Sequence, residues 1–172
     1  MNITVVEYDP NWINKYLQEE YEIKRILQEK LVNSFHIGST SIPKLKAKPI
    51  IDILLVVNDI SELDTYSLPF ENLGYEVLGE FGMKGRRYFR KGGDNRTHQI
   101  HAFQYDNLQE IERHLSFRDY LRQHPYICKE YGELKSKLAD LYPTNIESYS
   151  DGKNEFVKKI EREALLWHWT QR

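Results

Sequence analysis

Cysteine is nearly absent from this sequence: Cys128 is the only one in 172 residues. An intramolecular disulfide is therefore excluded, which agrees with a reducing compartment. Proline is sparse as well, six in all, and no proline- or glycine-rich stretch marks a linker or low-complexity segment. No long hydrophobic run occurs. The longest, Ile50 to Val57, is too short to cross a bilayer and carries Asp52 in its middle. The first residues, MNITVVEYDP, lack a basic start followed by an apolar core, so no secretory signal is expected. An excess of one charge is missing too. The formal net charge is −2, so the molecule as a whole is no evident polyanion binder, and any anion site must be local. These absences predict a cytoplasmic protein with no membrane association.

What is present is an ordinary globular composition, 40% hydrophobic and 29% charged. The length suits one domain covering residues 1–172, and a chain of this size buries roughly 70% of its unfolded surface without a disulfide or metal staple. A first helix is expected after Asp9-Pro10, with Ile13, Tyr16, Leu17, Ile23, Leu27 and Leu31 on one face. Strands are expected at 33–37 and 49–57, with a turn through Gly38, Ser39, Thr40 and Ser41 between them. A helix starting near Asp59 should close at Gly74, followed by a strand at 75–78. Segments 86–91 and 97–103 read as a hairpin joined through GGDN. From about residue 108 the pattern is helical to the end, with helices near 110–123, from Pro125, and from Gly152. Strands followed by helices imply an α+β class, a mixed β-sheet packed with helices and a helical C-terminal part at about 108–172.

The stretch HIGSTSIPKLKAKPIIDILLVV, His36 to Val57, concentrates the chemistry. Gly38 allows a tight turn and close approach to a ligand. Ser39, Thr40 and Ser41 add hydroxyls and N–H groups, and a helix starting there would favour a phosphate. Asp52 follows on a strand otherwise fit for burial. A buried carboxylate is costly without a partner, and a metal ion, Lys46 or Lys48 would each offset that cost. The pattern is that of a phosphate cradle beside a metal-binding acid. It equally describes a plain turn with an acid that caps backbone or pairs with lysine, and the residues alone leave both readings open.

With these motifs the chain resembles the GrpB family of bacterial proteins. The likeness also rests on Tyr8-Asp9-Pro10 with Trp12, Leu73-Gly74-Tyr75, THQIHAF around His98 and His101, FRDYLRQHP from Phe117 to Pro125, Tyr131, Leu134 and Lys135, and finally Tyr149 and Lys153. One departure is Lys44, which stands where the family usually has glycine. The resemblance implies a polymerase-beta-type nucleotidyltransferase fold, whose Gly-Ser turn sits beside a strand bearing two alternate acids, with a third on a neighbouring strand. Three carboxylates hold divalent metals for displacement on a nucleoside triphosphate. Carried over, Gly38 and Ser39 match the phosphate turn and Asp52 the first acid. Position 54 is Leu54, and the late strand offers His98, Gln99 and His101 in place of the third acid. A two-magnesium site is thus not expected. The alternatives are one metal (Mg²⁺, Mn²⁺ or Zn²⁺) or a nucleotide or phosphometabolite pocket without transfer. The family's domains also occur fused to dephospho-coenzyme A kinase, an association without a mechanism.

The candidate residues are therefore Asp52 as metal ligand and catalytic acid, His101 as ligand, phosphate contact or base, and Gly38, Ser39, Thr40, Lys48, Arg87 and Arg118 for phosphates or nucleotide. His36 lies beside the turn and is within reach of the same place. His98 and His101, three apart on a strand, point to opposite faces and do not share an ion. Alternation puts Arg86, Tyr88 and Arg90 on one face and Arg87, Phe89 and Lys91 on the other; one face supplies cations, or both form a solvated edge. Arg118 and Arg122 share a helix face. The neutral total charge and lack of an interleaved stacking motif speak against nucleic acid as partner.

Overall fold

The computed structural model describes residues 2–171. Five strands, β1 (Leu31–Ile37), β2 (Ile51–Val57), β3 (Tyr75–Val77), β4 (Arg86–Lys91) and β5 (His98–Gln104), form one sheet in the order β1-β2-β5-β4-β3. β2 runs parallel to β5 and antiparallel to β1, and β4 is antiparallel to both β5 and β3. The sheet is mixed and the class α+β.

Five helices flank it: α1 (Asn11–Leu27), α2 (Ser67–Asn72), α3 (Leu108–Gln123), α4 (Pro125–Leu141) and α5 (Ile146–Thr170). α1 starts where the Asp9 carboxylate accepts the Asn11 amide hydrogen, satisfying one of the free donors of the first turn. The Asn107 and Asn145 side chains do the same for α3 and α5. The strand pattern explains the layering. Ile51, Ile53, Leu55 and Val57 alternate onto one face of β2 and meet Trp12, Tyr16, Ile23 and Leu27 of α1 and Phe70 of α2. On the other face Leu54 packs with Ile37 and Phe103, with Ile111 and Leu115 of α3 against them. A further cluster, including Leu45, Leu121, Tyr131 and Ile160, ties α3, α4 and α5 to the loop after β1.

The hairpin and the placing of the strands follow the pattern in the sequence. The face of α1 does so only in part: Tyr16, Ile23 and Leu27 are buried as expected. Ile13 and Leu17 are about half exposed, whereas Trp12 and the carboxylate-bearing Glu19 are buried. Glu19 is inside because Tyr75 Oη donates to it at 2.7 Å and Lys91 Nζ lies 2.7 Å away, a satisfied polar group that apolar periodicity cannot see. Leu31 belongs to β1 rather than α1. The segment after Asp59 is a 3₁₀ stretch, Glu62–Tyr66, running into the short α2. α5 begins at Ile146, six residues before Gly152, because Asn145 supplies the cap.

Candidate functional site

The chain leaves β1 at Ile37, whose register partner on β2 is Asp52. Gly38 follows with φ +70°, and Ser39–Ser41 make one 3₁₀ turn stitched by Ser41 Oγ donating to the Gly38 carbonyl at 2.5 Å. The fit of turn and acid is close. A Cβ on Gly38 would lie 2.6 Å from Asp52 Oδ2, so only glycine brings the backbone this near the carboxylate. Asp52 is opposite Gln99 on β5, and its Oδ1 lies 3.2 Å from His101 Nε2.

Two adjoining hollows, of about 390 and 130 Å³, open over this point and share Ser39, Asp52, Gln99 and Lys153 in their walls. The larger is closed on its far side by α3 and α5 through His114, Phe117 and Val157. The smaller is walled by Lys48, Lys135 and Tyr149. Lys135 is 2% exposed; its ammonium donates to Ser39 Oγ and, at 3.2 Å, to the Lys46 carbonyl. The ammoniums of Lys48 and Lys153 lie 5.2 and 5.1 Å from the centroid of the Tyr149 ring. Burial lowers the basicity of all three lysines. Lys48 is drawn down by burial with Asp52 opposing, and Lys153 falls to about 8 through burial and the neighbouring Lys48. Burial, then the charges of Lys153 and Lys48, holds Lys135 well below the usual lysine range. The buried Tyr149 hydroxyl has no hydrogen-bond partner among the described residues.

Of the residues expected from sequence, Gly38, Ser39, Asp52, His101 and Lys48 come together around these hollows. Three others do not. Thr40 is 1% exposed and uses its hydroxyl on the Ile50 carbonyl at 3.2 Å, so it braces the turn from inside. Arg87 lies on the opposite sheet face, where alternation sends it, and pairs with Asp64 at 2.7 Å. Arg118 pairs with Asp119 and donates to the His36 carbonyl at 3.3 Å, holding α3 against β1 rather than facing a ligand. His36 turns toward α1, stacks on Tyr16 and meets Thr40 Oγ1 at 3.0 Å. His98 and His101 do face opposite ways, His98 toward Glu19 at 3.8 Å and His101 toward Asp52. The residues missed are Lys135, Lys153 and Tyr149. Their matches to the family pattern were the available signal, but spacing assigns them no role.

The residues present do not fit a two-metal centre. Leu54, where the resemblance led to the expectation of a second acid, is fully buried under α3, and Gln99 and His101 occupy the neighbouring strand. Among the described residues no group of three His, Cys, Asp or Glu side chains is arranged to hold a metal ion. Three lysines around one carboxylate also oppose a second cation.

With this geometry the family pattern described as GrpB protein matches residues 2–163. The chain belongs to the GrpB family. The UPF0157 protein YqkA of Bacillus subtilis is 42% identical over 96% of this chain, and the chain spans about half (48%) of YqkA's length. The crystal structure of conserved protein GrpB from Enterococcus faecalis is 50% identical and superposes with a TM-score of 0.94, covering 96% of this chain and 99% of that one. Cid1 poly(U) polymerase bound to MgATP is a distant likeness, with a TM-score of 0.48 and 12% identity over 77% of this chain and 45% of that one. No described helix is long and apolar enough to cross a membrane.

Proposed function

We propose that this GrpB-family chain binds a phosphorylated small molecule, a nucleotide or phosphometabolite, through its phosphates in the hollow between Ser39, Asp52 and the three lysines. One observation carries the reading: a single carboxylate, Asp52, faces Lys48, Lys135 and Lys153 in a shared cavity. Buried cations in excess of their counter-charge are unfavourable, and a dianionic phosphate relieves the excess with charge-assisted hydrogen bonds. The unpartnered Tyr149 hydroxyl in the same wall supports it. Gly38 and Ser39 would receive phosphate oxygens where the backbone comes nearest the acid.

A second reading is nucleotidyl transfer. The Gly38–Ser39 turn beside Asp52 favours it; His101, whose Nε2 meets Asp52 at 3.2 Å and whose Nδ1 is buried, would orient that carboxylate rather than act as a base itself. Its distinguishing outcome is pyrophosphate release from a nucleoside triphosphate.

Thermal unfolding with ATP, AMP and inorganic pyrophosphate, each with and without Mg²⁺, tests both. Ligand-dependent stabilisation that persists without metal and is lost in Lys153→Gln is the expected result. No stabilisation by any of the three would end the reading. Stabilisation that requires Mg²⁺ and disappears in Asp52→Ala would favour the second one.

A further inference from the structure

The run KLKAK, Lys44 to Lys48, divides its side chains between places. Leu45 and Ala47 are buried, and Lys48 enters the phosphate hollow. Lys44 and Lys46 line a different cavity of about 640 Å³, bounded by α3 and α4 through Leu121, Arg122, Cys128 and Lys129. This cavity shares no wall residue with either hollow around Asp52. Its body is apolar, with Pro43, Leu121, Pro125 and Cys128, and its charged groups are mostly cations. Arg122 is engaged, donating twice to the Ser41 carbonyl at 2.8 and 3.0 Å, and Lys46 lies 3.7 Å from Glu7. Lys44 and Lys129 make no ion pair among the described residues and are exposed; Glu133 is the one acid in the wall.

The backbone adds a second observation. Lys44 has φ +72°, the left-handed region that a residue with a Cβ rarely adopts. The chain thus holds a long cationic side chain at a strained position on the wall of this cavity.

We infer that the cavity between the Pro43–Lys46 loop and helices α3 and α4 is a second binding site, and that its ligand is a small amphipathic carboxylate. The apolar body would lie against Leu121, Pro43 and Pro125, and the anion would meet Lys44 and Lys129. An apolar cavity with two unpaired cations selects for a negative charge on an otherwise apolar molecule; a bare phosphate would leave the apolar wall uncovered. The site stands apart from the phosphate hollow and does not depend on what that hollow binds.

Octanoate, octan-1-amine and inorganic phosphate serve as probes in calorimetric titration of the intact chain. Octanoate should bind at one saturable site, and octan-1-amine and phosphate should not bind there. The double variant Lys44→Glu/Lys129→Glu, changed at exposed positions, should weaken octanoate about tenfold or more. Lys153→Gln, in the other hollow, should leave octanoate affinity unchanged. Absence of saturable octanoate binding overturns the inference. So do equal binding of octanoate and octan-1-amine, and an unaltered double variant. Loss of octanoate binding in Lys153→Gln alone would move the ligand to the phosphate hollow and overturn it as well.

Discussion

The two faces of the sheet each hold a carboxylate among cations, buried on one face and half-buried on the other, and they treat it differently. On the α1 face Glu19, 7% exposed, accepts from Tyr75 at 2.7 Å and pairs with Lys91 at 2.7 Å, with His98 at 3.8 Å and lowered in basicity by burial. One anion meets one cation and the set is closed. On the α3–α5 face Asp52 meets His101 and shares its cavity with Lys48, Lys135 and Lys153. The second set carries positive charge in excess. A buried pair that balances itself is structural, whereas an unbalanced one is stable only with an incoming counter-charge or at the expense of its lysines' protons.

The sharpest way to break this comparison is to remove the Glu19 carboxylate. Glu19→Ala leaves the half-buried Lys91 without its counter-ion and the Tyr75 hydroxyl without its acceptor, and should lower unfolding free energy by about 2 kcal/mol, read by denaturant titration. Phosphate-ligand affinity should be unaffected, since Glu19 lies across the sheet from the hollow. If Glu19→Ala were neutral, the closed set would hold no more structure than the open one.

Next in size is Gly38→Ala. Its Cβ would press on Asp52 at 2.6 Å from a backbone at φ +70°, so the turn must shift. About 2 kcal/mol of stability should be lost, and pyrophosphate should no longer raise the melting temperature. A variant that keeps the full ligand shift would separate the turn from the lysine hollow.

How much of this was legible in the sequence differs between the two sets as well. Gly38, Ser39 and Asp52 were joined through the resemblance to the family, since the residues alone fit a plain turn as well; the antiparallel pairing of β1 with β2, with Ile37 and Asp52 in register, is what brings them together. The hairpin and its alternation were readable locally. Alternation separated Arg87 from Tyr88, yet nothing local said which face would hold the cavity, and Arg87 lies on the other. Lys135, Tyr149 and Lys153 come from α4 and α5, between 83 and 101 residues beyond Asp52. Their arrival depends on how those helices pack, which spacing does not encode. Glu19 defeated the periodicity of α1 because its partners Tyr75 and Lys91 are equally remote.

The excess charge around Asp52 has a signature in pH. Lys153 titrates near 8 in the folded chain instead of at the ordinary 10.5, so between those values the unfolded chain binds more protons. Stability of the free protein should therefore rise with pH from about 8 toward 10.5 and be lowest below 8. Lys153→Met removes the buried cation, should flatten that rise, and should add about 1 kcal/mol at pH 7. Pyrophosphate requires the Lys153 ammonium, so its affinity should weaken as pH rises above 8, by up to about tenfold per unit. Calorimetry in buffers of different ionisation enthalpy should show proton uptake on binding near pH 8. Proton release there, or a stability profile that Lys153→Met leaves unchanged, would contradict an open, anion-seeking set.

The smallest effect concerns the loop between the two cavities. Lys44 sits at φ +72°, a conformation that glycine adopts freely. Relief of strain is partly cancelled by glycine's greater freedom in the unfolded chain, so Lys44→Gly should stabilise by only about 0.5 kcal/mol. Because Lys44 faces the cavity of α3 and α4 rather than Asp52, the pyrophosphate shift should survive intact. Octanoate affinity should fall, since the variant loses one of the two unpaired ammoniums while keeping the wall. A gain in stability with both affinities unchanged would show that the strain at Lys44 supports no ligand.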